Sequence, residues 1–238
     1  MIEIIDQILH QFKNLFRTLW MVYVPVLLLF VLIIMLRIFY KIPIGYFTRD
    51  PGDIMRHSPI SNFPFFEKGI VNLPFYLGGL SYLGILLWCA TMAICFFSYV
   101  IFRKTGKQTP DPLFFFLAGL FSTLLLADDL FRFHEIVFPV YLHLSEYTLY
   151  CSYVVLTAFL LVRYRSTILN TDYILLLFAL GCLGLAFITD MVTDMFFRSI
   201  SGATLIEDGA KFVGIFSWFV YFARICFQHI VQVIAHED

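Results

Sequence analysis

The chain has 238 residues, 61% of them hydrophobic and only 14% charged, with a mean hydropathy of +0.86. Soluble domains average about 45–50% apolar and about 25% charged residues, so a soluble globular enzyme and a disordered chain are both excluded. With 16 Lys+Arg against 17 Asp+Glu there is no basic surface for nucleic acid, which leaves a polytopic membrane protein.

In chain order, residues 1–17 place Ile4, Ile5, Ile8, Leu9, Phe12, Leu15 and Phe16 on one helical face and Glu3, Asp6, Lys13 and Asn14 on the other. The segment is too polar to span and predicts an amphipathic helix in the membrane interface, with a partner-binding helix as the competing reading. Glu3 and Asp6 stand where a cleaved leader carries basic residues, so the first span is expected to be retained. That span covers about 18–40. Residues 41–73 carry Lys41, Arg49, Arg56 and Lys68 with Asp50, Asp53 and Glu67 among prolines and aromatics, and predict an external cap.

Five further spans are expected at about 74–102, 112–132, 145–163, 172–194 and 205–226. The fold class is therefore an all-α transmembrane bundle of about six spans, taken as one domain. Four of its uncharged runs are short: Pro112–Ala127 (16 residues), Tyr147–Val162 (16), Tyr173–Thr189 (17) and Phe212–Ala223 (12). About 20 residues cross a bilayer core, so these spans must take charged residues to the membrane boundary or below it.

Lys13 and Arg17, then Arg103, Lys104 and Lys107, then Arg163 and Arg165, and finally Arg224 fall on one side of a six-span chain. The positive-inside tendency makes that side the cytoplasm, with both termini there, in what is expected to be a bacterial cytoplasmic membrane. On the opposite side three acidic groups reach one level: Asp128, Asp129 and Glu135; Asp190 and Asp194; Glu207 and Asp208. Asp128 and Glu135 are seven apart and share a face, with Arg132 between them. Asp129 lines up with Ser122 two turns below. Glu207 and Lys211 are i, i+4. If the helix continues past Arg132, His134 lies off the Asp128 stripe.

Ionised carboxylates at membrane depth are costly unless paired, which makes them functional-site candidates. Against Arg132, Arg198 and Lys211 these seven acids leave an excess of negative charge that a divalent cation or shared protons could neutralise. The blander reading is that they sit in the headgroup layer and pair with those three cations. In the metal reading Asp128, Asp129, Glu135, Asp190, Glu207 and Asp208 are the ligand candidates. Oxygen ligands with one His suit Mg, Ca, Mn or Fe, with Zn an alternative. His134 or Asp194 would act as general base, and Lys211 or Arg132 would offset negative charge.

Other signals are weaker. His134-Glu135 is not HExxH, because Phe138 stands at the second histidine position. Cys89, Cys95, Cys151, Cys182 and Cys226 lie in apolar runs and read as small hydrophobes. His143, His229 and His236 read as interfacial, and Trp218 and Tyr221 as lipid-facing or packing residues. Gly78, Gly79, Gly84, Gly181 and Gly184 offer surfaces for close helix approach.

At Ala127–Glu135 (ADDLFRFHE), at Leu205–Ile215 (LIEDGAKFVGI) and across Arg49–Ala90, the chain resembles a group of uncharacterised bacterial multi-pass membrane proteins. That resemblance implies a membrane fold and carries no activity. A fainter similarity is to intramembrane glutamic proteases, with motifs EExxK, FxxxE and HxxxD. Glu207–Lys211 departs from the first at Asp208, Phe131–Glu135 fits the second in reversed order, and no His has an Asp four residues later.

Three functions follow as expectations. The first is a divalent-metal hydrolase or transferase acting on a lipid or lipid-linked substrate. The second is a non-catalytic subunit that packs against other membrane subunits or its own copies. The third is a proton- or cation-coupled carrier. Membrane lipids are expected partners in all three, and nucleic acid in none.

Overall fold

The structure, a computed structural model, describes residues 20, 23–48, 66–67, 70–71, 74–105, 111–196 and 201–235. Within them it leaves the side chains of 66–71, Glu135, 193–196, 201–204 and 235 undescribed. The amphipathic segment 1–17, most of the cap, Arg198 and His236 therefore lie outside the described residues, as do the side chains of Glu135 and Asp194.

The chain divides into two compact units, Met1–Gly78 and Gly79–Asp238. In the first, α1 (Tyr23–Tyr40) is an apolar helix long enough to cross a membrane. It stops at Lys41, whose φ of 56° is left-handed and breaks the helical hydrogen-bond register. The expected cap holds a four-residue helix, α2 (Gly45–Thr48), and a two-residue antiparallel ladder, β1 (Phe66–Glu67) with β2 (Ile70–Val71). Phe47 stacks on Tyr76 at 4.9 Å, and the Gly78 N–H donates to the Tyr46 carbonyl at 2.8 Å, which ties the end of the cap back to α2.

The described residues of the second unit form helices joined by short connections: α3 (Gly79–Thr105), α4 (Pro112–Phe131), a π-helical segment (Phe133–Tyr141), α5 (Glu146–Arg163), α6 (Arg165–Leu169), α7 (Tyr173–Phe196) and α8 (Ser201–Ala235). Local chemistry sets several ends. Asp111 caps α4 by accepting from the Leu113 N–H at 3.0 Å, with Pro112 at the first helical position. Ser145 caps α5 in the same way at Tyr147.

Helix α8 is the spine, packed along both α7 and α3, while α4 packs on α3. Of the apolar stretch of α8, 56% is buried, against 22–39% for α3, α4 and α7. Two glycines allow this approach. A Cβ at Gly214 would meet Leu183 Cγ at 2.7 Å and its backbone N at 3.0 Å, so α7 and α8 touch backbone to backbone there. At Gly119 a Cβ would meet Phe96 at 3.0 Å, between α3 and α4. Of the glycines expected at contacts, Gly84 faces Ile215, but Gly79, Gly181 and Gly184 have nothing within 4 Å. Small size alone does not show which way a helix face turns.

Five described helices are long and apolar enough to cross a membrane: α1, α3, α4, α7 and α8. The protein is an integral membrane protein with an all-α bundle. The expected span 145–163 is α5, which is not among the five; its first half carries Glu146, Tyr147, Tyr150 and Tyr153. Its ends nevertheless mark both levels of the bundle. Tyr150 lies 5.6 Å from His134 beyond the end of α4, and Tyr164 lies 5.2 Å from Phe114 at the start of α4. Burial, and then the Asp111 carboxylate, push the Tyr164 hydroxyl above its usual range. Helix α5 thus runs antiparallel to α4 across the same thickness, and its 18 residues cover about 27 Å.

Candidate functional site

The polar layer starts from a break in α4. Twenty residues carry this helix about 30 Å, and it closes at Arg132, whose φ of 55° and ψ of 49° are left-handed. The Arg132 N–H returns to the Asp128 carbonyl, and the chain then winds as a π-helix from Phe133. Positive φ at a non-glycine residue and π-helical turns both concentrate at functional sites.

This break moves His134. A continuing α-helix would have carried it away from Asp128, as the sequence reading expected. Instead Asp128 Oδ1 accepts from the His134 backbone N–H at 2.9 Å and lies 2.8 Å from His134 Nδ1. Asp128 keeps 7% of its side-chain surface and His134 14%. An ionised carboxylate only accepts hydrogen bonds, so beside one Nδ1 would carry the ring proton and Nε2 would be the basic nitrogen. Tyr153 of α5 packs edge-on against Phe121 of α4. Tyr150 leans on the His134 ring and on Phe187 of α7.

Beside this dyad, Asp129 joins three helices. Its Oδ1 accepts from Lys211 Nζ of α8 at 2.7 Å and its Oδ2 from the Trp88 indole of α3 at 2.8 Å. One turn-pair below, Trp218 of α8 donates to Ser122 at 3.1 Å and meets Trp88 edge to face at 6.1 Å. The expected alignment of Asp129 with Ser122 is therefore real, and each carries an indole donor from a neighbouring helix. Trp218 is a buried packing residue at 3% exposure.

The acids read from sequence separate accordingly. Asp128, Asp129, His134 and Lys211 meet, and Asp208 adds its field at Lys211. Asp190 and Glu207 are half-buried on α7 and α8, and each takes part in a polar contact. Arg132 contributes the left-handed cap. Among the described residues, no three His, Cys, Asp or Glu side chains come together as a group that could hold a metal. Asp128 Oδ1 is engaged by His134, and the two oxygens of Asp129 by the Trp88 indole and the Lys211 ammonium.

Sequence reasoning missed Trp88. The signal for Trp88 was available: a carboxylate in register with a buried serine calls for donors on the facing helix. It also missed the polar layer at the other end of the bundle. There Arg224 of α8 donates from Nε and Nη2 to Asp172 Oδ2, at 2.8 and 2.7 Å, and the Tyr221 and Thr171 hydroxyls lie 3.0 Å apart.

The model of a family described as a domain of unknown function (DUF8692) matches residues 21–225. No curated protein and no solved structure matches the chain.

Proposed function

Because the chain belongs to the DUF8692 family of unknown function, its role must be read from its own side chains, and we propose an intramembrane acid–base centre acting on a lipid or lipid-linked substrate. The observation that carries this reading is the Asp128–His134 dyad. One carboxylate oxygen takes two bonds from a single residue, which fixes both the tautomer and the plane of the imidazole. His134 Nε2 would take a proton from an attacking water or hydroxyl and return it to the leaving group. Lys211, which keeps 43% of its side-chain surface, would offset negative charge developing on the substrate. No step in this scheme runs through a metal.

Arg103, Arg163 and Arg224 all belong to the end of the bundle away from His134, which supports placing the dyad on the extracytoplasmic side. The experiment compares total lipid extracts, by mass spectrometry, from cells carrying wild type or His134→Gln at equal membrane abundance. A species that changes with wild type and reverts with His134→Gln is expected. Identical profiles would overturn the reading.

A second reading rests on Asp129. Its two oxygens take donors from α3 and α8, so the layer also serves as a register lock between helices. A non-catalytic membrane subunit would need that lock and nothing more, and it would leave lipid profiles unchanged while losing helix register in Lys211→Met.

A further inference from the structure

The stretch that carries His134 is unusual in composition for a connection outside the membrane. From Phe133 to Leu144 its titratable residues are His134, Glu135, His143 and Tyr141; the others are Phe133, Ile136, Val137, Phe138, Pro139, Val140, Leu142 and Leu144. Phe133, His134 and Ile136–Phe138 are half-buried, whereas everything from Pro139 to Leu144 is exposed. Val140 keeps 49% of its surface, Tyr141 73% and Leu142 51%. A water-facing connection with this much bare apolar surface would be an aggregation site.

Its place in the bundle explains the exposure. Helix α4 is long enough to use the full hydrocarbon thickness, so Phe131 stands at the edge of the hydrocarbon and the stretch lies in the interfacial layer, where an apolar face reaches down to the acyl chains. The ledge is continuous with faces that already look outward: Leu130 (51%) and Phe131 (59%) on α4, then Tyr147 (41%), Val154 (63%) and Val155 (66%) on α5. Tyr141 and Tyr147 fall at the level where amphipathic rings line a membrane boundary.

We propose that Pro139–Leu144 is a lipid-immersed ledge on which the acyl chain of a bilayer lipid docks, so that an amphiphile reaches His134 sideways from the membrane. The occupant is a lipid because the ledge extends the lipid-facing surface without a polar break. Its apolar part lies along Leu130, Phe131 and Val140, and its polar end falls at the inner half of the same segment, beside the Asp128–His134 dyad. The proposal rests on the acid–base reading only for what that polar end meets. Lipid docking itself is independent of turnover.

The test uses the full chain in phospholipid vesicles doped with a phospholipid bearing a diazirine on its acyl chain, photolysed and mapped by peptide mass spectrometry. Adducts are expected on Pro139–Leu144 as well as on Val154 and Val155 of α5, which serve as the lipid-facing reference. In Val140→Glu/Leu142→Glu the adducts on the ledge should fall to background while those on α5 persist. Adducts on α5 with none on the wild-type ledge overturn the proposal, as do ledge adducts unchanged in the double variant. His134→Gln must leave the adduct pattern intact; if it alone erases the ledge adducts, docking depends on the dyad and the independent ledge is wrong. A failed lipid-extract comparison with intact ledge adducts removes the chemistry and keeps the docking surface.

Discussion

Each end of the α3–α8 bundle holds a carboxylate paired with a cation from α8, yet the two pairs stand in opposite helix fields. Asp172 immediately precedes Tyr173, the first residue of α7, where the macrodipole is positive and an anion is favoured. Asp128 and Asp129 lie in the last turn of α4, where the dipole is negative and an anion is disfavoured. Asp172 therefore needs little help, and Arg224 bonds a single oxygen of it from a regular helix. At the other end the protein recruits Lys211, Trp88 and a left-handed break that returns His134 to Asp128. Two carboxylates set against the local field, with the backbone rebuilt around them, are what the proposed acid–base role asks of the His134 end, while at the Arg224 end the pair needs only to fasten two helices.

The largest expected effect breaks this asymmetry in function. His134→Gln keeps a polar side chain but cannot act as a base near neutral pH, and should lower any lipid conversion by about 10²–10⁴-fold. Arg224→Met, at the other end, should leave conversion within a small factor of wild type. Lipid mass spectrometry on both variants in parallel separates the two ends, and equal losses would mean that both pairs merely hold the fold.

The next effect is on stability. Lys211→Met leaves Asp129 in an unfavourable helix field with only Trp88 as donor. Because Lys211 is 43% exposed, the cost is discounted from the full penalty of a buried pair to about 2 kcal/mol. Arg224→Met leaves Asp172 at a favourable helix N-terminus and should cost about 1 kcal/mol or less. Unfolding in mixed detergent measures both, and the reverse order would refute the dipole argument. Trp88→Phe keeps the edge-to-face contact with Trp218 and removes one hydrogen bond to a charged group, for about 1.5 kcal/mol.

The same asymmetry explains what could be read from residues alone. Spans, their short uncharged runs and the arrival of Asp128, Asp129 and Lys211 at one level follow from length and hydropathy, because the bilayer fixes where helix ends must fall. The alignment of Asp129 with Ser122 follows from helical period. His134 was misplaced because that period was carried through Arg132, and nothing local in Leu130–Phe133 announces a left-handed residue followed by π winding. Gly214 was overlooked in favour of Gly181 and Gly184, since which face of α7 meets α8 depends on packing rather than on residue size. The Asp172–Arg224 pair was legible in principle: two antiparallel helices bring the start of one to the far part of the other. Arg224 was instead read only as a topology marker.

The smallest expected effect tests whether the Arg224 end is only a fastener. Tyr221 is fully buried, and its hydroxyl shares a hydrogen bond with Thr171, one residue before Asp172. Tyr221→Phe removes the hydroxyl and keeps the ring that packs edge-on against Phe222. Thr171 also donates to the Ile168 carbonyl at 2.7 Å, so it retains a partner when the tyrosine oxygen is gone. The loss should therefore be about 0.5–1 kcal/mol, the net worth of one neutral hydrogen bond, with lipid conversion unchanged. A larger destabilisation would show that Thr171, Asp172, Tyr221 and Arg224 act as one coupled network. A double-mutant cycle of Tyr221→Phe with Arg224→Met reads that coupling directly, and additivity is expected if the Asp172–Arg224 pair stands on its own.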